Sequence, residues 1–265
     1  MSAAVMRNLK GTFVARRLRK VLYLIFVVAA GLSVGPTLAQ SRRCPFCTFV
    51  GTLSEKFDAV MPPAVPADWI ATNALGPPPL WVTLNSGLPS PPADTLPNAA
   101  FVDDPAVVSD KRLDSLLFNF FERFAARLTF RHHFNLEASN VDPNLGFDGG
   151  VMEISTDGGN TFQDILAAGG TFVMGGYNRT ISTDRGSPIA GRQVWSGDSG
   201  GFITTMVDLP PFAPPSGIRL RWRMASDTSG SGEGWRVDTV TIKWCQGPPC
   251  TPPPRITPHP RPTPP

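Results

Sequence analysis

The residues with the most chemistry to offer are acidic: Glu137, Asp148, Glu153, Asp157, Asp227, Glu233 and Asp238. Calcium takes about six to eight oxygens, drawn from carboxylates and backbone carbonyls in loops. Asp148 and Asp238 lie 90 residues apart, each beside glycines or at the end of an apolar run. A sandwich of strands can bring such ends together, so these two, with Glu137, are expected to hold a structural calcium ion. The plainer alternative is that both aspartates cap turns or pair with arginines. A glycosidase would need two carboxylates facing across a groove. Glu137 and Glu153 could supply them, but nothing in the sequence sets their separation.

Other residues invite sharper readings that the spacing does not sustain. Gly197-Asp198-Ser199-Gly200-Gly201 resembles a chymotrypsin-like nucleophile loop over all five positions. That mechanism also needs a histidine and an aspartate in a set geometry. His132 and His133 lie in no Ala-Ala-His-Cys setting, and no His-Glu-x-x-His helix exists to bind zinc. His132 falls on the apolar face of an alternating run and reads as a hydrogen-bonded core residue. Arg219, Arg221 and Arg223 alternate with Ile218, Leu220, Trp222 and Met224. They are a solvated sheet face paired with acids, or a groove for an anionic glycan. Trp69 and Trp81 read first as packing residues, with an exposed aromatic platform for a sugar or protein partner as the other reading.

The cysteines and the N-terminal segment bear on compartment. Residues 1–20 carry Arg7, Lys10, Arg16, Arg17, Arg19 and Lys20 and no acid; an apolar run from Val21 to Leu38 follows, then Thr37-Leu38-Ala39 before Gln40. This is the pattern of an export signal over 1–39, with a retained membrane anchor as the alternative. The chain has 24 basic and 21 acidic residues, net +3; without the six basic residues before Gln40 the balance is 18 against 21, net −3. The remaining chain shows no basic patch that would select nucleic acid. Cys44 and Cys47 precede the presumed domain, and Cys245 and Cys250 close it. In an exported chain these four are expected to form disulfides, in any of three connectivities. A four-thiolate zinc site is the alternative.

The elements that must position these groups read as strands. Leu128, Phe130, His132, Phe134 and Leu136 alternate with polar residues at period two. Phe49–Val60, Val151–Thr156, Phe202–Leu209, Ile218–Met224 and Trp235–Trp244 read as further strands, with shorter ones at 172–173, 177–181 and 193–195. Ser109–Phe124 suits a strand or short turn better than a helix. Residues 61–105 hold eleven prolines yet keep Trp69 and Trp81, which reads as an ordered loop laid over the domain. The Asp-Gly-Gly triplets at 148–150 and 157–159 read as type I′ turns, since both residue types tolerate positive φ. The result is an all-β chain, an antiparallel β-sandwich of jelly-roll type over 40–250. Residues 251–265, proline-rich and nearly without apolar residues, read as an extended tail.

Two resemblances sharpen this. Ser155-x-Asp157-x-Gly159-x-Thr161-Phe162 is similar to the Asp-box hairpin of sialidase propeller blades, where the Asp caps the turn's amides and the aromatic packs beneath. Only one full copy is present, so neither a propeller nor a sialidase activity follows. The runs 128–137, F-D-G-G-V-M-E-I-S-T-D-G-G, 175–178, 191–201, 220–223 and G-W-R-V-D-T-V-T-I resemble jelly-roll modules of secreted bacterial proteins. Those modules are related to the MAM-like domains appended to immune inhibitor A-type metallopeptidases. The resemblance implies a non-catalytic adhesion or carbohydrate-binding module, secreted or at the bacterial cell envelope. It would meet an extracellular glycan or a cell-surface protein, and touch membrane only through an uncleaved N-terminal segment. An extracellular hydrolase and a purely structural envelope protein are the alternatives.

Overall fold

The structure, a computed structural model, describes residues 48–120, 125–211 and 216–246. The expected export segment, Cys44, Cys47, Cys250, the side chain of Cys245 and the proline-rich tail lie outside the described residues, and the disulfide expectation with them. The strands in chain order are β1 (Thr48–Glu55), β2 (Ile70–Leu75), β3 (Val82–Leu84), β4 (Ala99–Val102), β5 (Ser109–Asp114) and β6 (Phe118–Phe120). Next come β7 (Ala125–Leu136), β8 (Leu145–Gly146), β9 (Gly149–Ser155), β10 (Gln163–Asp164), β11 (Thr171–Met174) and β12 (Arg179–Ile181). The last are β13 (Gln193–Val194), β14 (Gly197–Asp198), β15 (Ile203–Asp208), β16 (Ser216–Ser226) and β17 (Gly234–Gln246).

Two antiparallel sheets form a sandwich-like arrangement. The first runs β11-β15-β7-β17-β4-β3, with β1 on β17 and β14 on β7; the second runs β10-β9-β16-β5-β2, with β6 on β16. A small third sheet, β13-β12-β8, covers Val151 and Ala225 on the outer side of the second. The first and last strands are neighbours, Phe49 standing opposite Cys245.

Alternation builds the core. Leu128, Phe130, His132, Phe134 and Leu136 of β7 turn inward beside Trp235 and Val237 of β17; Leu220, Trp222 and Met224 of β16 and Met152 and Ile154 of β9 meet them from the other sheet. Aromatic rings fill the centre: Trp195 lies 4.9 Å from His132, 4.7 Å from Tyr177 and 5.7 Å from Trp235, centroid to centroid. A bulge after Asp238 lets β17 keep its apolar side inward. Val237 before it and Val240 after it are both buried, and Thr239 takes up the irregularity with φ of 48°.

Two expectations need correction. The proline-rich segment is more than loop, because it contributes β2, β3 and β4 to the two sheets. Asp-Gly-Gly at 148–150 is not a turn: Gly149 and Gly150 open β9. A Cβ on Gly150 would stand 2.6 Å from the Trp235 ring, so that glycine serves close packing. The second triplet does turn, Gly158 and Gly159 having φ of 81° and 99°. There Asp157 accepts from the amides of Asn160 and Thr161 and from the Thr161 hydroxyl. Those bonds hold its carboxyl below the usual range. Ser109–Phe124 forms strands β5 and β6 as far as it is described.

Candidate metal centre

Four carboxylates converge where three connections cross. Glu137 follows β7, Asp148 precedes β9, Asp227 follows β16, and Asp104 follows β4. One carboxylate oxygen each from Glu137, Asp148 and Asp227 lies within 4.8 Å of the others, and Asp104 stands against Asp148. Backbone amides hold the outer oxygens. Asp227 N–H donates to Asp148 Oδ1 at 2.6 Å, Ser229 N–H to Asp227 Oδ1 at 2.8 Å, and the amides of Gly232 and Glu137 to Asp104 Oδ2 at 2.7 and 3.1 Å.

The inner oxygens have no such partner. Asp104 Oδ1, Glu137 Oε2, Asp148 Oδ2 and Asp227 Oδ2 are all buried with nothing to bond, and Asp148 and Asp227 are 0% and 1% exposed. Orphaned buried carboxylate oxygens are costly, and either a proton held between Asp104 and Asp148 or a cation among the carboxylates relieves that cost. Burial, with the like charge of Asp104 next, pushes the Asp148 carboxyl far above its ordinary range. Burial and then Asp227 push Glu137 up, and burial raises Asp104. This buried acidic cluster fits a divalent cation, for which an all-oxygen donor set is the usual cage. Glu137, Asp148 and Asp227 would hold it, with Asp104 against Asp148. It would then fasten the β16–β17 loop to the β7–β9 connection.

Of the three ligands expected, the structure brings together Glu137 and Asp148 and sets Asp238 elsewhere. Asp238 pairs in register with Arg131, six residues before Glu137 along the β7 line, which at ~3.4 Å per residue is about 20 Å away. It accepts instead from Thr95 N–H at 2.8 Å and Thr239 N–H at 2.6 Å, and burial raises its carboxyl to about 6. Asp227 was visible among the acids of the sequence, at a strand end before a run of small residues. Asp104, in Asp-Asp-Pro, was missed.

The remaining candidates other than Arg219 are occupied with structure. Trp69 and Trp81 are 5% and 1% exposed. Trp69 stacks on Trp222 at 5.5 Å and Trp81 packs edge-on against Trp235 at 5.4 Å, so neither is a surface platform. Arg221 makes a two-pronged pair with Asp114 (2.6 and 2.9 Å). Arg223 pairs with Asp110 at 2.8 Å and Glu153 at 3.1 Å. Glu153 is also taken by Arg192 at 2.6 Å, so it and Glu137 belong to separate networks. The Ser199 hydroxyl accepts from Phe134 N–H at 3.0 Å and lies 2.9 Å from the Gly201 carbonyl. His132 sits between Trp235 Nε1–H, which donates to its Nδ1 at 3.1 Å, and Thr205 Oγ1 at 2.8 Å from its Nε2. That bonding makes it the core residue its alternation predicts. His133 Nε2 stands 3.8 Å from Asp198.

An all-β sandwich carrying a buried carboxylate cage is thus the class that fold and site define. No protein-family model matches the chain, and no curated protein matches it. Among solved structures it is similar to the K2 cleaved adhesin domain of Lys-gingipain, 18% identical over 74% of this chain and 98% of that one, with a TM-score of 0.44. It is also similar to the K1 cleaved adhesin domain of Lys-gingipain from Porphyromonas gingivalis W83, 20% identical over 74% and 99%, TM-score 0.42. A third is TmCBM61, solved with β-1,4-galactotriose, 9% identical over 66% and 88%, TM-score 0.40.

Proposed function

We propose that the chain is a non-catalytic adhesion or carbohydrate-binding module, exported to the cell surface, whose connecting loops are fastened by calcium. The carrying observation is the set of four orphaned carboxylate oxygens of Asp104, Glu137, Asp148 and Asp227. A cation there would order the rim of the sandwich. Calcium is the cation this reading chooses, because oxygen-only donors in flexible loops suit it. The residues that could have formed a hydrolase support the same reading. Ser199 is bonded to backbone and Glu153 is neutralised by two arginines. The basic and apolar N-terminal segment supports export, with 1–39 removed and 40–250 as the working domain. The self-capped turn at Ser155–Phe162 is read as a single Asp-box hairpin, a structural device.

The test is a glycan array probed with residues 40–265, in calcium and again in chelator. Calcium-dependent hits are expected. A blank array from folded, calcium-loaded protein, together with no binding to cell-surface protein extracts, would remove the binding function and leave an envelope scaffold.

A further inference from the structure

We propose that the outer face of the β10-β9-β16-β5-β2 sheet binds the carboxylate of an acidic sugar, a uronate or a sialate, at Arg219. The inference rests on the glycan-binding reading above and assigns it a place and a ligand class. Along β16, Arg219, Arg221 and Arg223 all face outward, since the alternate residues Ile218, Leu220, Trp222 and Met224 are 0–1% exposed. The neighbouring arginines are committed: Arg221 to Asp114, Arg223 to Asp110 and Glu153, Arg112 to Asp110, Arg192 to Glu153 and Asp164. Arg219 has no acidic partner among the described residues.

Its position is nevertheless fixed. The chain lies over the turn at Gly159, where an added Cβ would stand 3.3 Å from Arg219 Cδ, and its Nε is buried without an acceptor. The nearby acid of that turn, Asp157, is saturated by Ser155, Asn160 and Thr161. The terminal guanidinium nitrogens, which no acid among the described residues takes, fit a carboxylate, which accepts from Arg through two parallel bonds. The surroundings suit a sugar ring. Phe162, partly exposed, lies on Arg221 with the guanidinium carbon 3.5 Å from the ring centre. The exposed Asn119 pairs with Gly217, two residues from Arg219 on the same face, and offers an amide to hydroxyls.

The experiment is calorimetric titration of residues 40–265 with oligogalacturonate, its methyl ester, sialyllactose and lactose. Wild type is compared with R219Q, R219K and, as a control on the other sheet, R127Q. The expected result is binding of at least one carboxylate sugar, no comparable binding of its neutral counterpart, and a loss of about tenfold or more in R219Q. R219K should fall between, keeping the charge but not the fork, and R127Q should match wild type. Uronate against sialate tells which source is used. Carboxylate binding that R219Q leaves intact, or that R127Q weakens equally, overturns the site. Equal affinity for charged and neutral sugars, or binding of sulfated glycans alone, overturns the ligand class while the glycan-binding reading stands. No sugar bound by folded protein overturns both.

Discussion

His132 makes the folded protein acid-sensitive in a way that can be isolated. The ring is fully buried, accepts from Trp235 at Nδ1 and donates at Nε2 to Thr205, whose hydroxyl donates on to the Gly175 carbonyl at 2.6 Å. Every proton in that chain is assigned, and none of the partners can accept a second proton from the ring. Burial, with Arg131 next, depresses its pKa from 6.5 to about 3. At pH 7.5 the residue is neutral folded or unfolded and contributes no pH dependence. As pH falls below 6.5 the unfolded chain takes up a proton that the folded one refuses. The fold therefore loses about 2 kcal/mol at pH 5 and about 3 kcal/mol at pH 4 through this residue. That is a large part of the ~5–15 kcal/mol that holds a domain folded.

The variant H132Q separates this effect from the rest. Glutamine can accept from Trp235 and donate to Thr205 but does not titrate. It should be less stable than wild type at pH 7.5 by about 1–2 kcal/mol, since it loses ring packing against Phe130 and Trp195. The assay is urea unfolding followed by tryptophan fluorescence at intervals from pH 7.5 to 4. Asp238, raised to about 6, acts in the opposite sense, its contribution being lost as pH rises through 6. It is present in both proteins and drops out of the difference. H132Q should lose about 3 kcal/mol less than wild type over that range, the two curves meeting near pH 5. Parallel curves would refute the reasoning.

Three further outcomes follow from the same geometry. Trp195→Ala, which empties the contact between Phe130, His132, Tyr177 and Trp235, should cost ~3–5 kcal/mol in denaturant unfolding; a loss below 1 kcal/mol would contradict the packing described. Ser199→Ala removes an acceptor from Phe134 N–H and should cost about 1 kcal/mol, while a fluorophosphonate probe should label neither wild type nor variant. Limited proteolysis should find the loop from Asp227 to Gly234 protected in calcium and cut in chelator, because Asp227 and the Gly232 amide are its ties to the acidic cluster. Equal cleavage in both would separate that loop from the cation.

Much of the fold was legible because burial on one face imposes period two. The runs around Phe130, Leu220 and Trp235 show it, and even His132 could be placed in the core from its parity. Proline misled where it is dense, since β2 to β4 are short and β2 and β4 pair with the more remote β5 and β17. The glycines at 149–150 misled because their reason is the Trp235 ring, a contact far along the chain. At the candidate site, Glu137 and Asp148 were legible as acids at strand ends. Choosing Asp238 over Asp227 was an error of register: only the β7–β17 pairing shows that Asp238 sits about six residues down the sheet. The commitment of Arg221 and Arg223 to acids was expected from their face. That Arg219 has no acidic partner among the described residues was not, because it depends on which neighbour each acid on β5 and β9 chooses.

Calcium binding at the carboxylates of Glu137, Asp148 and Asp227, proposed above, is tested most directly by isothermal titration of calcium into metal-stripped protein, wild type beside D148N. One ion should bind per chain in wild type, accompanied by a rise in melting temperature. D148N should show neither while remaining folded. A wild-type protein that stays folded after stripping and takes up no calcium, or a D148N protein that binds it as tightly, would contradict it.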